Sequence, residues 1–145
     1  MKQLSKSSGK SSLIFAVILL AFSVSVAKAN VLFFLQVMRN LQHYRVSGDQ
    51  VSFDLEGRGT DNLTFNLTLP SRRNNYEEVL MAGYLSAAYA IDRTGLKIKT
   101  VNVIALVSND NNRMIATSAK APDLAKLVSK ELSPHEFLGL IKRFK

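Results

Sequence analysis

Residues 51–70 read VSFDLEGRGTDNLTFNLTLP, the most regular pattern in the chain. Apolar residues occupy every second position over 51–55 and again over 63–69. A period of two is typical of β-strands that bury one face. The glycine-containing segment 57–61 predicts a turn, and Pro70 ends the second run because proline cannot donate to a sheet. The stretch therefore predicts an antiparallel β-hairpin with one apolar face.

A second hairpin is predicted further along the chain. Residues 98–107 are rich in β-branched side chains, which favour strands. The polar cluster 108–112, SNDNN, predicts a turn, and residues 113–117 predict the returning strand. The two hairpins together predict a four-stranded, mostly antiparallel sheet.

A central helix is predicted between the two hairpins, over about residues 76–93. Asn74 or Asn75 can cap its start, and Gly95 follows its end. Its residues are apolar nearly all round, which indicates a helix buried on more than one side. Small residues recur on it at a spacing of four, at Ala82, Ser86 and Ala90.

Helices are also predicted at both ends of the folded region. Asn30 can cap an N-terminal helix over about 31–44. Near the C-terminus, Pro122 suits the start of a short helix. The segment 133–136, SPHE, forms a capping box for a last helix whose apolar face is Phe137, Leu138, Ile141 and Phe144.

The predicted fold class is α+β with the order αββαββα: an N-terminal helix, two antiparallel hairpins forming a four-stranded sheet, a central buried helix and C-terminal helices. Helices gathered on one face of the sheet are the simplest way to bury both apolar surfaces. This order of elements is similar to that of type III secretion chaperone-like domains, a resemblance of topology.

The first 29 residues predict a cleaved secretory signal peptide. Three lysines lie in residues 1–12, an apolar run fills 13–26, and Ala27-Lys28-Ala29 matches the A-x-A site of a signal peptidase. We expect cleavage between Ala29 and Asn30, which leaves a single domain over 30–145. The open alternative is an uncleaved membrane anchor over 13–38, because the chain becomes apolar again after residue 30.

Charge and composition exclude several classes of function. The full chain carries 19 Lys and Arg against 11 Asp and Glu, a net charge of +8. Cleavage would leave 15 basic residues and a net charge of +4, because it removes Lys2, Lys6, Lys10 and Lys28. That balance favours solubility and indicates no nucleic-acid partner. The chain has no cysteine, which excludes disulfides, thiolate metal sites and a cysteine nucleophile.

The remaining reactive side chains form no catalytic or metal-binding motif. His43 and His135 are the two histidines, and His135 belongs to the predicted capping box. Asp54 and Glu56 share the polar face of a strand, where alternation alone explains them. We therefore expect no catalytic residues, no cofactor and no metal.

These features favour a small exported, non-catalytic protein that acts by protein–protein interaction in the bacterial periplasm or outside the cell. The apolar segment 31–38 is the predicted partner surface, through Val31, Phe33, Phe34 and Val37. Membrane contact is expected only if the signal segment is retained.

Two other functions stay open from the sequence. One is a small-molecule-binding domain or hydrolase, with a pocket between the central helix and the sheet lined by His43, Tyr84 and Tyr89. The other is a membrane-anchored protein that keeps residues 13–38. Asn62 and Asn66 begin glycosylation sequons, but both also fit the polar face of the second strand.

Overall fold

The computed structural model describes the backbone of residues 8–57, 61–108 and 113–144, and their side chains except those of 8–16 and 19–27. Most of the predicted turn at 108–112 and part of the turn at 57–61 lie outside the described residues. The elements in chain order are α1 (Ser8–His43), β1 (Ser52–Glu56), β2 (Leu63–Arg72), α2 (Tyr76–Thr94), β3 (Ile98–Ser108), β4 (Arg113–Lys120), α3 (Ala121–Val128), α4 (Pro134–Leu140) and β5 (Lys142–Phe144).

The strands form one mixed sheet in the order β1-β2-β3-β4-β5. Both predicted hairpins are confirmed, since β1 pairs antiparallel with β2 and β3 pairs antiparallel with β4. Between the hairpins, β2 and β3 run parallel, with Leu67 beside Val103. Parallel neighbours need a crossover connection, and α2 supplies it. The α+β class is thus confirmed.

The central helix α2 begins and ends close to the predicted positions. Asn75 precedes it, although its side chain does not cap the helix; its Oδ1 accepts a hydrogen bond from the Arg72 N–H at 2.7 Å. Gly95 ends α2 in the left-handed conformation, with φ of 67°. Its N–H donates to the Ile91 carbonyl at 2.8 Å, which satisfies one of the free carbonyls of the last turn.

The prediction of four strands is wrong at the C-terminus, where a fifth strand replaces the end of the last helix. The capping box at Ser133 and Glu136 forms, but α4 stops at Leu140 and Ile141 is extended. Residues 142–144 then pair with β4. Gly139 weakens the helix, whereas the free edge of β4 offers backbone partners to the chain. Phe144 therefore lies on a strand and does not join the apolar face of α4.

The core lies between the sheet and the helices. Alternate residues of β2 and β3 point toward the helices and are fully or almost fully buried: Leu63, Phe65, Leu67, Leu69, Ile98, Val101, Val103, Ala105 and Val107. α2 lies against both of these strands, and α1 packs on α2. The ring of Phe33 on α1 meets Phe65 edge-on, with 4.9 Å between centroids.

The N-terminal helix starts earlier than predicted. α1 begins at Ser8, so the helix expected over 31–44 continues without a break into the segment expected to be the signal peptide. Among the residues of α1 whose side chains are described, Ala29 is the first that packs against the core, followed by the fully or almost fully buried Phe33, Val37 and Leu41. Within the residues whose side chains are described, no helix is both long and apolar enough to cross a membrane.

The closest approach of helix and sheet gives a testable prediction at Gly83. A Cβ added there would lie 2.8 Å from Val103 Cγ1 and 2.9 Å from Leu69 Cδ1. Gly83→Ala should lower the free energy of unfolding by about 1 kcal/mol, because overpacking a core outweighs the better helix propensity of alanine. Urea denaturation of the full chain would measure the change.

Gly139→Ala is the matched control for this substitution. A Cβ at Gly139 meets nothing within 4 Å, so only helix propensity changes. This variant should gain about 0.5–1 kcal/mol. Equal shifts of the same sign in both variants would contradict the close contact at Gly83.

Candidate functional site

The space between α2 and the sheet is filled by Tyr84. Its side chain is fully buried, and its hydroxyl lies 2.7 Å from Thr117 Oγ1 on β4. Thr117 Oγ1 donates to the Val103 carbonyl at 2.8 Å, so the Tyr84 hydroxyl is the donor in the first bond. The ring of Phe137 on α4 covers Tyr84 edge-on, at 5.1 Å between centroids. This layer is a hydrogen-bonded core.

The other two predicted pocket residues lie elsewhere. Tyr89 is exposed on α2, and His43 is exposed at the end of α1, with its ring 5.5 Å from that of Tyr44. Burial and the nearby Tyr89 raise the pKa of the Tyr44 hydroxyl. His43, Tyr84 and Tyr89 line neither the groove at the strand ends nor the smaller cavity between α2 and α3.

The larger cavity is an open groove of about 930 Å³ at one end of the domain, which we call the end groove. It lies where the parallel strands β2 and β3 end and where α2 and α4 begin. In open α/β sheets, ligands bind outside the carboxyl ends of strands. Its polar and charged lining residues are Tyr44, Arg45, Ser47, Ser71, Arg72, Asn75, Glu77, Glu78, Ser108 and His135. A smaller cavity of about 210 Å³ lies between α2 and α3.

The end groove has mixed charge. Arg45 and Arg72 contribute positive charge, and Glu77 and Glu78 in the first turn of α2 contribute negative charge. These two carboxylates already interact favourably with the positive end of the α2 dipole. The end groove therefore suits a polar or zwitterionic ligand better than a simple anion.

Among the described residues, no group of side chains is arranged for acid–base catalysis or for metal binding. The ion pairs within 4 Å there are Lys97–Asp61 and Arg143–Glu77, and neither contains a histidine. No group of three His, Asp or Glu that could hold a metal occurs in the same residues. Hydrogen bonds from Ser133 lower the pKa of the Glu136 carboxyl, which marks a helix cap.

Sequence reasoning missed the end groove because its residues come from four separate segments. His135 was interpreted as part of a cap, which it is, yet its side chain also lines the end groove. The signal that could have found it is topological: β2 ends at Arg72 and β3 at Ser108, and parallel neighbours end at the same edge of a sheet.

The predicted partner surface on α1 is divided between core and solvent. Phe33 and Val37 are fully buried. Phe34 is half-buried, and its ring stacks on Phe53 of β1 at 4.8 Å. Val31 is exposed, and so are Leu32 and Leu35, which lie in the predicted segment 31–38 but were not among its named residues. Val31, Leu32 and Leu35 lie on one side of the helix, and we call them the α1 face.

No protein-family model matches the chain, and neither does any curated protein or solved structure.

The buried Tyr84 gives a pH-dependence prediction. Burial raises its pKa from the usual 10 to about 12. The folded chain then holds the proton more tightly than the unfolded chain. Stability linked to Tyr84 is therefore complete below pH 10 and is lost as pH rises from about 10 to 12, by on the order of 2 kcal/mol.

Tyr84→Phe separates this effect from the titration of lysines. The variant should cost about 1 kcal/mol at pH 7, because a buried hydrogen bond is lost. Its free energy of unfolding should fall less steeply between pH 10 and 12 than that of the parent chain. Tyr89→Phe, at an exposed position, should change the slope much less than Tyr84→Phe. An unchanged slope in Tyr84→Phe would disprove the assignment.

Proposed function

We propose that the chain is a small exported protein that acts by protein–protein interaction, without catalysis, in the bacterial periplasm or outside the cell. The α1 face is the proposed partner surface. The observation that carries the proposal is that three large apolar side chains of α1 lie more than half exposed on a helix whose other side is fixed in the core.

The proposed cleavage between Ala29 and Asn30 is supported by the place where α1 joins the core. Among the residues whose side chains are described, α1 packs against the core from Ala29 onward, and its buried residues Phe33, Val37 and Leu41 follow the cleavage point. Asn30 Oδ1 is buried without a hydrogen-bond partner among the described atoms. Cleavage would free the N–H groups of Leu32 and Phe33, and an asparagine at a helix start accepts from such groups.

The proposed partner surface is supported by its packing. Val31, Leu32 and Leu35 are 56%, 51% and 60% exposed, while Phe33 and Val37 on the opposite side are fully buried. The core therefore holds the helix in place without using the α1 face. Contiguous exposed apolar side chains are typical of interaction sites.

Small-molecule binding is the second candidate function, and the end groove is the observation that favours it. Its volume of about 930 Å³ is large enough for a small organic ligand. Binding there would depend on Arg45 and His135 and would be insensitive to changes on the α1 face. The hydrolase version would also need a base beside a nucleophile, and we do not propose such a pair.

A retained membrane anchor is the third candidate. The continuity of α1 from Ser8 to His43 favours it, because an unbroken helix would join the apolar N-terminal segment to the domain. Val17 and Ile18 are exposed on that segment. In this candidate, residues 13–38 would remain part of the protein and hold the domain beside the membrane.

N-terminal sequencing of exported material tests the processing step. The full chain with a C-terminal tag, expressed in a bacterium, should yield a protein that begins at Asn30. Ala29→Arg should block this cleavage, because signal peptidase requires a small residue there, and the larger precursor should accumulate. A wild-type product that begins at Met1 would favour the anchor.

Substitution of Leu35 tests the partner surface. Leu35→Asp should abolish a specific cross-link between the α1 face and its partner in envelope fractions, because a carboxylate cannot be buried there unpaired. The free energy of unfolding should change by less than about 0.5 kcal/mol. Leu140→Asp is the matched control, since Leu140 is 58% exposed against 60% for Leu35. Equal loss of the cross-link in both variants would reject the α1 face.

A further inference from the structure

The second face of the sheet, turned away from the helices, carries an ordered pattern of its own. We call it the outer face. On β2 and β3, the residues that alternate with the buried ones point toward the outer face and are partly exposed. α2 and α3 contact the sheet, and Leu67, Leu69 and Val103 on its inner face meet α2 at Gly83. Among the described residues, the outer face is thus the surface of a two-layer domain that no helix covers.

The outer face is apolar toward the carboxyl ends of β2 and β3. One row of neighbouring residues across the strands is Pro70, Leu106 and Met114. The next row is Ser52, Thr68, Ile104, Ala116 and Phe144. Met114 and Phe144 are 66% and 50% exposed. Isolated exposed apolar side chains are ordinary, but contiguous rows of them indicate an interface.

Beside these rows lies a polar row with opposite charges at its two ends. It consists of Asp54, Asn66, Asn102, Ser118 and Lys142, one residue from each strand in sheet order. Asn102 Nδ2 donates to Asn66 Oδ1 at 2.8 Å within the row. Lys142 lies over the ring of Phe144 at 5.3 Å, which places both side chains on the same face. The β1 edge of the outer face is therefore acidic and the β5 edge basic.

We propose that the outer face binds the outer face of a second copy of this chain, about a two-fold axis that runs along β3. Rotation about an axis parallel to the strands places β1 over β5 of the partner and β2 over its β4. Each row of one copy then lies over the same row of the partner, which runs in the opposite direction across the sheet. Asp54 of each copy meets Lys142 of the partner subunit, while the apolar rows meet each other. A two-fold axis across the strands would instead place β1 over β1 of the partner, and so the acidic edge over the acidic edge, which like-charge repulsion disfavours.

The size of the outer face is sufficient for such a dimer. A fourth row, Glu56, Thr64, Thr100 and Lys120, lies beyond the polar row. Five strands span about 24 Å and four rows about 27 Å at normal strand spacing and rise. Two such surfaces bury on the order of 1,300 Å² together, within the range of specific interfaces. Aligned sheets cross at about 30°. The long Lys142 side chain can reach Asp54 across that offset.

Site-specific cross-linking of the full chain in cells tests this arrangement, because the chain has no cysteine of its own. Ile104→Cys and Thr100→Cys, both on β3, place a thiol at the two-fold axis in each copy. Packed sheets are about 10 Å apart, beyond the reach of a direct disulfide, so a short permeant bis-maleimide is the probe. Both variants should give a covalent dimer. Leu140→Cys, exposed on α4 outside the outer face, should give none.

The two edges test the direction of the axis. Two Asp54 residues would be about 20 Å apart in the dimer, on opposite sides of the axis. Asp54→Cys alone and Lys142→Cys alone should therefore not cross-link. Co-expression of these two variants with different tags should give a cross-linked dimer that carries both tags. Leu106→Lys should remove every one of these cross-links, because it places two unpaired like charges opposite each other on the two-fold axis.

Any of three results would overturn the proposal. Neither β3 variant gives a covalent dimer, Leu140→Cys gives as much dimer as Ile104→Cys, or Asp54→Cys alone gives a dimer. If Ile104→Cys accumulates poorly, Thr100→Cys carries the test, because it changes a partly exposed polar residue. The outcome is separate from the proposed partner binding at the α1 face, since Leu35→Asp should leave all cross-links in place.

Discussion

The contact between α2 and the parallel pair β2–β3 sets the geometry of the whole domain. At Gly83 the helix backbone approaches Val103 and Leu69 so closely that no side chain fits between them. This approach brings the next residue, Tyr84, within hydrogen-bond distance of Thr117 on β4. On the far side of α2, Asn40 Nδ2 of α1 donates to the Ser86 carbonyl at 3.0 Å. Gly83 thus permits the close approach of α2 to the sheet, and the Asn40–Ser86 bond joins the same helix to α1.

The parts of the fold that local periodicity determines were predictable from sequence. Alternation over 51–69 identified β1 and β2, and the apolar run with Gly95 behind it identified α2. The pairing of β2 with β3, by contrast, depends on residues more than 30 positions apart. β5 is three residues long, too short for a period, and forms because β4 has a free edge.

The candidate sites were less predictable, because burial is decided by what packs against a residue. Tyr84 and Tyr89 lie on the same helix, yet one is fully buried and the other is exposed. Likewise, Phe33 of α1 is fully buried, whereas the adjacent residue Leu32 is exposed. The spacing of its apolar residues showed that α1 is amphipathic. Because these residues cover a wide arc of the helix, the sequence did not show which side faces the sheet. The end groove needed the relative positions of strand ends, which no single segment contains.

The parallel pair has a consequence for the order in which the chain can fold. Each hairpin joins segments close in sequence, so β1–β2 and β3–β4 can form early and independently. The two halves are joined through the crossover that contains α2, because parallel strands cannot be linked by a tight turn. The short β5 pairs with β4, and the Arg143–Glu77 ion pair ties this strand to α2 at 3.4 Å. Completion of the sheet therefore depends on β5, the strand that is synthesised after the other four.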